Sequence, residues 1–161
     1  MNVIFTCGGT GGHINPAIAV ANMMRVRYPD CKILFIGAKG HMEEQLVPKA
    51  GYELKCLNIA GLVRGKSFSA MKKNVKTVSN TVKAVNACKK IIREFQPQVI
   101  VGTGGYASFP MVRAAAQLGL KTAVLEVNAT PGVATKQLAK KVDCTMLSFA
   151  ETEKLVPGAK R

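Results

Sequence analysis

The sequence predicts an α/β fold: a mostly parallel sheet with helices on both faces. Short apolar runs alternate with helical patterns along the chain, and this alternation is typical of repeated βα units. Most of the runs are continuously apolar, as expected of strands that are buried on both faces. Two of them lead into glycine-rich loops, which favours ligand binding beyond the carboxyl ends of the strands.

Six apolar runs are predicted strands, and five segments between them are predicted helices. The strands are 2–5, 32–37, 53–57, 98–102, 121–126 and 143–147. The helices are 16–27, 42–50, 67–95, 110–118 and 131–141. Pro16 suits the first position of a helix and Asn15 suits its N-cap, so the first helix is predicted to begin there. The polar tail from Ala150, with Pro157 and Gly158, resembles the beginning of a linker.

Length and composition favour a single domain over residues 1–161. Of the 161 residues, 48% are hydrophobic, which is enough for a buried core. The five cysteines are scattered and form no CxxC pair, which argues against a disulfide framework or a zinc site and favours a reducing compartment. Neither a signal peptide nor a run of about 18 apolar residues is present, so no membrane span is expected.

The net charge of +14 indicates an anionic partner. The stretch 54–93 is basic and has no acidic residue, and its apolar residues at 68, 71, 75, 78 and 82 form one helical stripe. That stripe favours packing on the sheet, whereas the apolar loop 62–68 favours contact with an anionic membrane surface. The predicted membrane-contact residues are Leu62, Val63, Arg64, Lys66, Phe68, Met71, Lys72 and Lys73. No nucleic-acid partner is expected, because this stretch has no tyrosine or tryptophan for stacking.

The first glycine-rich loop, "CGGTGGHINP" (7–16), has neither the dinucleotide spacing G-x-G-x-x-G nor a P-loop lysine. Glycines before a helix let a phosphate approach the free amides of its first turn. A tight turn without a ligand is the alternative. His13 lies at the helix start, where a cation is disfavoured, so we predict a neutral general base toward a hydroxyl. A histidine that only hydrogen-bonds the loop is the alternative.

The second loop repeats the first, since "TGGYASFPMVRAAA" (103–116) resembles "TGGHINPAIAVA" (10–21), so both are expected at one sheet edge. Gly102, Gly104 and Ala107 also match G-x-G-x-x-A, and Glu126 follows at about the distance of a ribose-binding acid. A NAD-dependent dehydrogenase fragment is therefore an alternative, although too little chain follows Gly102 for a full dinucleotide fold. No D-x-D pair is present, so no metal bridging a diphosphate is predicted.

Three motifs resemble the amino-terminal half of the MurG family of peptidoglycan N-acetylglucosaminyltransferases: "GGTGGHINPAIA" (8–19), "GTGGYASFP" (102–110) and "EVNATPG" (126–132). The resemblance implies the N-terminal, Rossmann-like domain of a GT-B enzyme, in which two such domains face a cleft. It implies that the enzyme moves N-acetylglucosamine from UDP-N-acetylglucosamine to lipid I, with inversion and without a metal or other cofactor, giving lipid II. It implies a peripheral location on the cytoplasmic face of the bacterial membrane. It also implies a UDP-sugar domain beyond Arg161, without which little activity is expected. A membrane-recruiting subunit of a two-chain transferase is a further alternative.

The resemblance also implies site residues. The catalytic base would be His13 or, as the second candidate, Glu126. Substrate binding would involve Gly8, Gly9, Thr10, Gly11, Gly12, Gly104, Gly105, Tyr106, Ser108 and Asn128. The family usually reads His-Glu-Gln-Asn before the third loop, whereas this chain reads Leu125-Glu126-Val127-Asn128. The polar contacts of that histidine and glutamine are therefore not expected here.

Overall fold

A computed structural model, described over residues 1–59 and 68–160, shows six parallel strands in one sheet. The strands are β1 (Asn2–Thr6), β2 (Lys32–Ala38), β3 (Glu53–Leu57), β4 (Val99–Gly102), β5 (Lys121–Glu126) and β6 (Cys144–Leu147). Their order is β3-β2-β1-β4-β5-β6, with all neighbours parallel. This is the order of dinucleotide-binding folds, with β1 as the first strand. Among the described strands only β5 and β6 follow Gly102, which agrees with the expectation that too little chain follows it to build such a fold from there.

The helices cover both faces of the sheet, as predicted. They are α1 (Gly11–Arg27), α2 (Glu43–Lys49), α3 (Phe68–Phe95), α4 (Ser108–Gln117) and α5 (Val133–Leu138). Phe5 and Phe35 pack under α1 and α2, whereas Ile4 and Ile100 pack under α3 and α4. Successive strand residues thus enter opposite cores, which is why the strands read as continuous apolar runs. Each buried phenylalanine stabilises the fold by about 1.5–3 kcal/mol.

The six predicted strands agree with the structure to within one residue at each end, but the predicted start of the first helix is wrong. α1 begins at Gly11, and Thr10, not Asn15, is its extended N-cap residue. The amides of His13 and Ile14 both donate to the Thr10 carbonyl, at 3.1 and 3.2 Å. Pro16 lies inside the helix, because its fixed φ is compatible with helical geometry and only one backbone hydrogen bond is lost.

The C-terminal segment is folded, so its interpretation as a linker is wrong. Residues Ala150–Leu155 form a 3₁₀ helix, and Val156 is buried behind it. The Thr152 hydroxyl donates to the carbonyl of Ala129 at 2.9 Å, and the amide of Thr145 donates to the carbonyl of Lys160. The segment therefore packs against β6 and supports the loop that follows β5.

Candidate functional site

The two glycine-rich loops lie side by side at one edge of the sheet, as the sequence predicts. The first loop (7–10) follows β1 and the second loop (103–107) follows β4, and these strands are parallel neighbours. Strand order reverses between β1 and β4, because β2 and β3 lie on one side and β5 and β6 on the other. Such a switch point opens a crevice at the carboxyl ends of the strands, where α/β proteins bind ligands.

Glycines allow the two loops to touch. Gly104 and Gly105 have φ values of +98° and +75°, which side chains rarely adopt. A Cβ on Gly105 would collide with the Gly8 carbonyl oxygen, and a Cβ on Gly8 would lie 2.5 Å from the Ala107 Cβ. Gly8 and Gly105 are therefore required by the contact between the loops, and Gly104 by its positive φ and by the nearby His13 ring.

Gly11 and Gly12 differ, because nothing in the fold requires them to be glycine. A Cβ on either would meet its nearest neighbour at 3.6 Å, an ordinary van der Waals distance. Both lie in the first turn of α1, where the N–H groups have no partner within the helix. Glycine costs roughly 1 kcal/mol relative to alanine inside a helix. Two glycines here leave these amides open to an anionic group.

His13 also lies in the first turn of α1 and reaches across to the second loop. Its Nδ1 is 3.0 Å from the Thr103 carbonyl oxygen, and the Thr103 hydroxyl donates to the His13 carbonyl at 2.7 Å. Because a carbonyl oxygen only accepts, Nδ1 carries the hydrogen in this contact. In the neutral ring Nε2 is then the basic nitrogen. A Cβ on Gly104 would lie 2.7 Å from Nδ1, so Gly104 makes room for the imidazole ring.

Tyr106 crosses the first loop and joins His41, a residue that sequence reasoning missed. The Tyr106 ring lies over Gly9, with Cε1 3.4 Å from where a Cβ would stand. The Tyr106 hydroxyl is 2.7 Å from His41 Nε2. By contrast, the Ser108 hydroxyl donates to the Gly105 carbonyl at 2.9 Å and is buried. Tyr106 therefore borders the crevice, whereas the Ser108 side chain stabilises its own loop.

Glu126 ends β5 and organises the third loop (127–132). Its Oε1 accepts from the amide and the side chain of Asn128, at 3.0 and 2.8 Å. Its Oε2 accepts from the Gly132 amide at 3.0 Å and the Thr135 hydroxyl at 2.6 Å. Burial alone would raise the pKa of Glu126, but these hydrogen bonds outweigh burial and hold its pKa below the usual value. A carboxylate engaged in this way is a poor base and offers little to a ribose.

Glu43, the first residue of α2, is a second buried carboxylate at this edge and was also missed. Its side chain is fully buried, and Oε1 accepts from the amides of Gly9 and Ala38, at 3.2 and 3.1 Å. The neighbouring Glu44 accepts from the exposed Gly40 amide instead. Nothing in the local sequence distinguishes these two glutamates, because the burial of Glu43 depends on distant strand ends.

The predicted membrane-contact residues cannot be located in the structure. Leu62, Val63, Arg64 and Lys66 lie outside the described residues, and so do the side chains of Phe68, Met71, Lys72 and Lys73. Farther along α3, Val82 is 59% exposed, so the prediction that the stripe packs on the sheet is wrong at this residue. None of the helices, over their described residues, is long and apolar enough to cross a membrane. In the described part of the chain, no three His, Cys, Asp or Glu side chains are grouped to hold a metal ion.

The sheet order and the paired glycine loops at its switch point define a Rossmann-like ligand-binding domain of the GT-B kind. The glycosyltransferase family 28 N-terminal domain matches residues 3–147. The chain belongs to this family.

Curated relatives match nearly the whole chain and share one name. The UDP-N-acetylglucosamine–N-acetylmuramyl-(pentapeptide) pyrophosphoryl-undecaprenol N-acetylglucosamine transferase of Cytophaga hutchinsonii is 43% identical over 98% of this chain. The protein of that name from Lactococcus lactis subsp. lactis is 44% identical over 99%. The chain spans 42% and 44% of the length of these two relatives. The comparisons support neither the dehydrogenase nor the recruiting subunit.

Solved structures agree on the fold. The crystal structure of Acinetobacter baumannii MurG superposes with a TM-score of 0.75 at 22% identity, over 93% of this chain and 42% of that one. A UDP-N-acetylglucosamine 2-epimerase from Listeria monocytogenes, described as putative in its crystal structure, gives 0.70 at 10% identity, over 97% and 41%. At these identities the similarity shows a shared architecture only.

Proposed function

We propose that this chain is the acceptor-binding part of a MurG-type transferase, which moves N-acetylglucosamine from UDP-N-acetylglucosamine to lipid I to give lipid II. The identity to curated transferases over nearly the whole chain supports the reaction. The observation that carries the acceptor site is the open first turn of α1, where Gly11 and Gly12 adjoin His13. In this proposal, residues outside these 161 bind most of the UDP-sugar.

The proposed chemistry is an inverting displacement. The acceptor hydroxyl attacks the anomeric carbon of N-acetylglucosamine, the bond from that carbon to the UDP oxygen breaks, and UDP leaves. His13 Nε2 takes the hydroxyl proton as the glycosidic bond forms. Amides at the start of α1 stabilise the negative charge of a diphosphate. No step requires a metal or another cofactor.

The geometry favours His13 over Glu126 as the base. The contact with Thr103 fixes the imidazole tautomer and leaves Nε2 as the basic atom. The Glu126 carboxylate is held by four hydrogen bonds, and these stabilise its ionised form. Glu126 instead positions Asn128, which the resemblance places near the donor sugar.

A fused enzyme tests the reaction and the base. We would join these 161 residues to the C-terminal part of the Lactococcus lactis relative and measure transfer from UDP-N-acetylglucosamine to a lipid I analogue. His13→Ala is expected to lower kcat at least about 100-fold, the usual effect of losing a general base. His41→Ala is the matched control, since His41 is the other histidine of the chain, and should have a much smaller effect. Similar losses in both variants would contradict the assignment.

We also propose that the basic segment 62–73 binds the cytoplasmic face of the membrane peripherally. The net charge of +14 and the exposed Val82 at the end of the predicted stripe support this contact. Reversing both charges at Lys72 and Lys73 should weaken sedimentation with phosphatidylglycerol-containing vesicles at least about tenfold, because each lysine contributes about 1 kcal/mol near such a surface. Reversal at the exposed pair Lys140 and Lys141 is the control. Equal losses from both pairs would show a general charge effect.

A further inference from the structure

The buried carboxylate of Glu43 connects three parts of the sheet edge. It starts α2, reaches the first glycine loop through the Gly9 amide, and reaches the end of β2 through the Ala38 amide. Both amides donate to the same oxygen, Oε1. Oε2 is also buried and has no hydrogen-bond partner among the described residues.

The backbone makes room for this side chain at two glycines. A Cβ on Gly8 would lie 2.8 Å from Glu43 Oε1, and a Cβ on Gly37 would lie 2.9 Å from Glu43 Cγ. Gly8 in turn contacts the second loop at Ala107. The carboxyl group is therefore enclosed by the first loop and β2, and the first loop is itself pressed against the second.

Stability alone does not explain a carboxyl group here. Burying a charge is costly unless it is paired and fully hydrogen-bonded. Neither of the two ion pairs in the described part of the chain includes Glu43, and only one of its oxygens is hydrogen-bonded. The hydrogen bonds from the Gly9 and Ala38 amides, which an apolar side chain would leave unpaired, offset this cost only in part, so the acid has a further use.

The further use of Glu43 is indicated by the amide of the first loop that donates to it. The Gly9 N–H is turned toward Oε1 and is not available to a ligand. The amides of Gly11 and Gly12, at the start of α1, have no partner within the helix. A carboxylate beneath Gly9 also repels a second anion at that point. Tyr106 packs over Gly9, so the conformation of the first loop also determines the position of the Tyr106 ring.

We propose that Glu43 is a positioning residue: it holds Gly9 away from the crevice, so that an anionic group of the substrate is bound by the amides of Gly11 and Gly12 beside His13. The inference rests on the proposed function, because it assumes that the crevice binds a diphosphate. It assigns no direct contact between Glu43 and the substrate.

The test uses the 161-residue chain, uniformly labelled with ¹⁵N, and inorganic pyrophosphate as the probe. In the unmodified chain the Gly9 amide should be protected from hydrogen exchange, and pyrophosphate should shift the Gly11 and Gly12 amide resonances more than that of Gly9. A response centred on Gly9 would overturn the inference alone. No response at any of the three amides would overturn the proposed diphosphate site and the inference with it.

Two variants separate positioning from support of the fold. Glu43→Ala should abolish protection of the Gly9 amide and weaken pyrophosphate binding about tenfold. Glu43→Gln keeps an oxygen that can accept from Gly9, so it should restore affinity to within about threefold of the unmodified chain. Glu44→Ala is the matched control. A folded Glu43→Ala variant with unchanged affinity would overturn the proposal. If that variant does not fold, the Glu43→Gln result and the amide responses of the unmodified chain still decide it.

Discussion

Two buried glutamates, Glu126 and Glu43, accept hydrogen bonds from the loops at the same sheet edge, but they do so differently. Glu126 holds the third loop through donors that all lie within nine residues of it in the chain, and both of its oxygens are occupied. Glu43 joins strand ends that are distant in sequence and leaves one oxygen without a partner in the described structure. The hydrogen bonds of Glu126 are local and complete. Those of Glu43 join the first loop to the end of β2 and leave one carboxylate oxygen unsatisfied among the described residues.

This difference predicts opposite consequences. Removing Glu126 should mainly cost stability, because a satisfied carboxylate leaves several buried donors unpaired when it is lost. Removing Glu43 should mainly change the arrangement of the glycine loops, since part of the stability lost is regained by relieving a poorly satisfied buried charge.

The largest expected effect is on stability at Glu126. Glu126→Ala should lower the free energy of unfolding by about 3 kcal/mol, because the donors from Asn128, Gly132 and Thr135 lose their acceptor. Urea denaturation followed by circular dichroism measures it. Glu151→Ala, at an exposed glutamate, is the control and should change little. A loss of stability below about 1 kcal/mol would contradict the expectation that Glu126, unlike Glu43, mainly stabilises the fold.

The next effect is a dependence of stability on pH. Hydrogen bonding holds the pKa of Glu126 below its unfolded value despite burial. The stabilisation is therefore fully present above the unfolded pKa, near 4.5, and is lost as pH falls through the lower folded pKa. Urea titrations across this acidic range should show a steeper fall in stability for the unmodified chain than for Glu126→Gln. Parallel curves would show that the ionisation of Glu126 does not contribute to the pH dependence of stability.

The smallest expected effect is on the pKa of Cys7, to which the charge of Glu43 contributes. Burial and then the charge of Glu43 raise the pKa of Cys7 to about 12, whereas burial alone raises the pKa of Cys88 to about 12. Glu43→Gln should therefore lower the pKa of Cys7, and Cys88, which is also fully buried, serves as an internal control. Because neither buried thiol is open to a reagent, the ¹³Cβ chemical shifts of both cysteines across alkaline pH measure the change. Equal changes at the two thiols would indicate general loosening of the fold.

Local patterns made most of this molecule predictable. Continuous apolar runs located all six strands, and the repeated glycine motif placed two loops at one edge, because both features depend on short stretches of chain. The start of α1 was misjudged, since the preference of proline for a first helical position is statistical and Pro16 fits inside the helix.

The hydrogen bonds of Glu43 to the amides of Gly9 and Ala38 could not be predicted in the same way. Its burial depends on Gly8 in the first loop and Gly37 in β2, which are distant in sequence, and on the contact between the two loops. Glu43 and Glu44 are adjacent in sequence, yet one is buried and the other binds an exposed amide. The His41–Tyr106 contact likewise joins residues 65 positions apart. Such pairings become visible only once the topology has brought the strand ends together.

Gly12→Ala tests whether the first turn of α1, beside His13, binds an anionic group. No neighbour opposes a Cβ at this exposed position, and alanine is the better helix former by about 1 kcal/mol. The variant should therefore be at least as stable as the unmodified chain, yet bind pyrophosphate at least about tenfold more weakly by isothermal titration calorimetry. Unchanged affinity in this variant would show that the anion binds elsewhere.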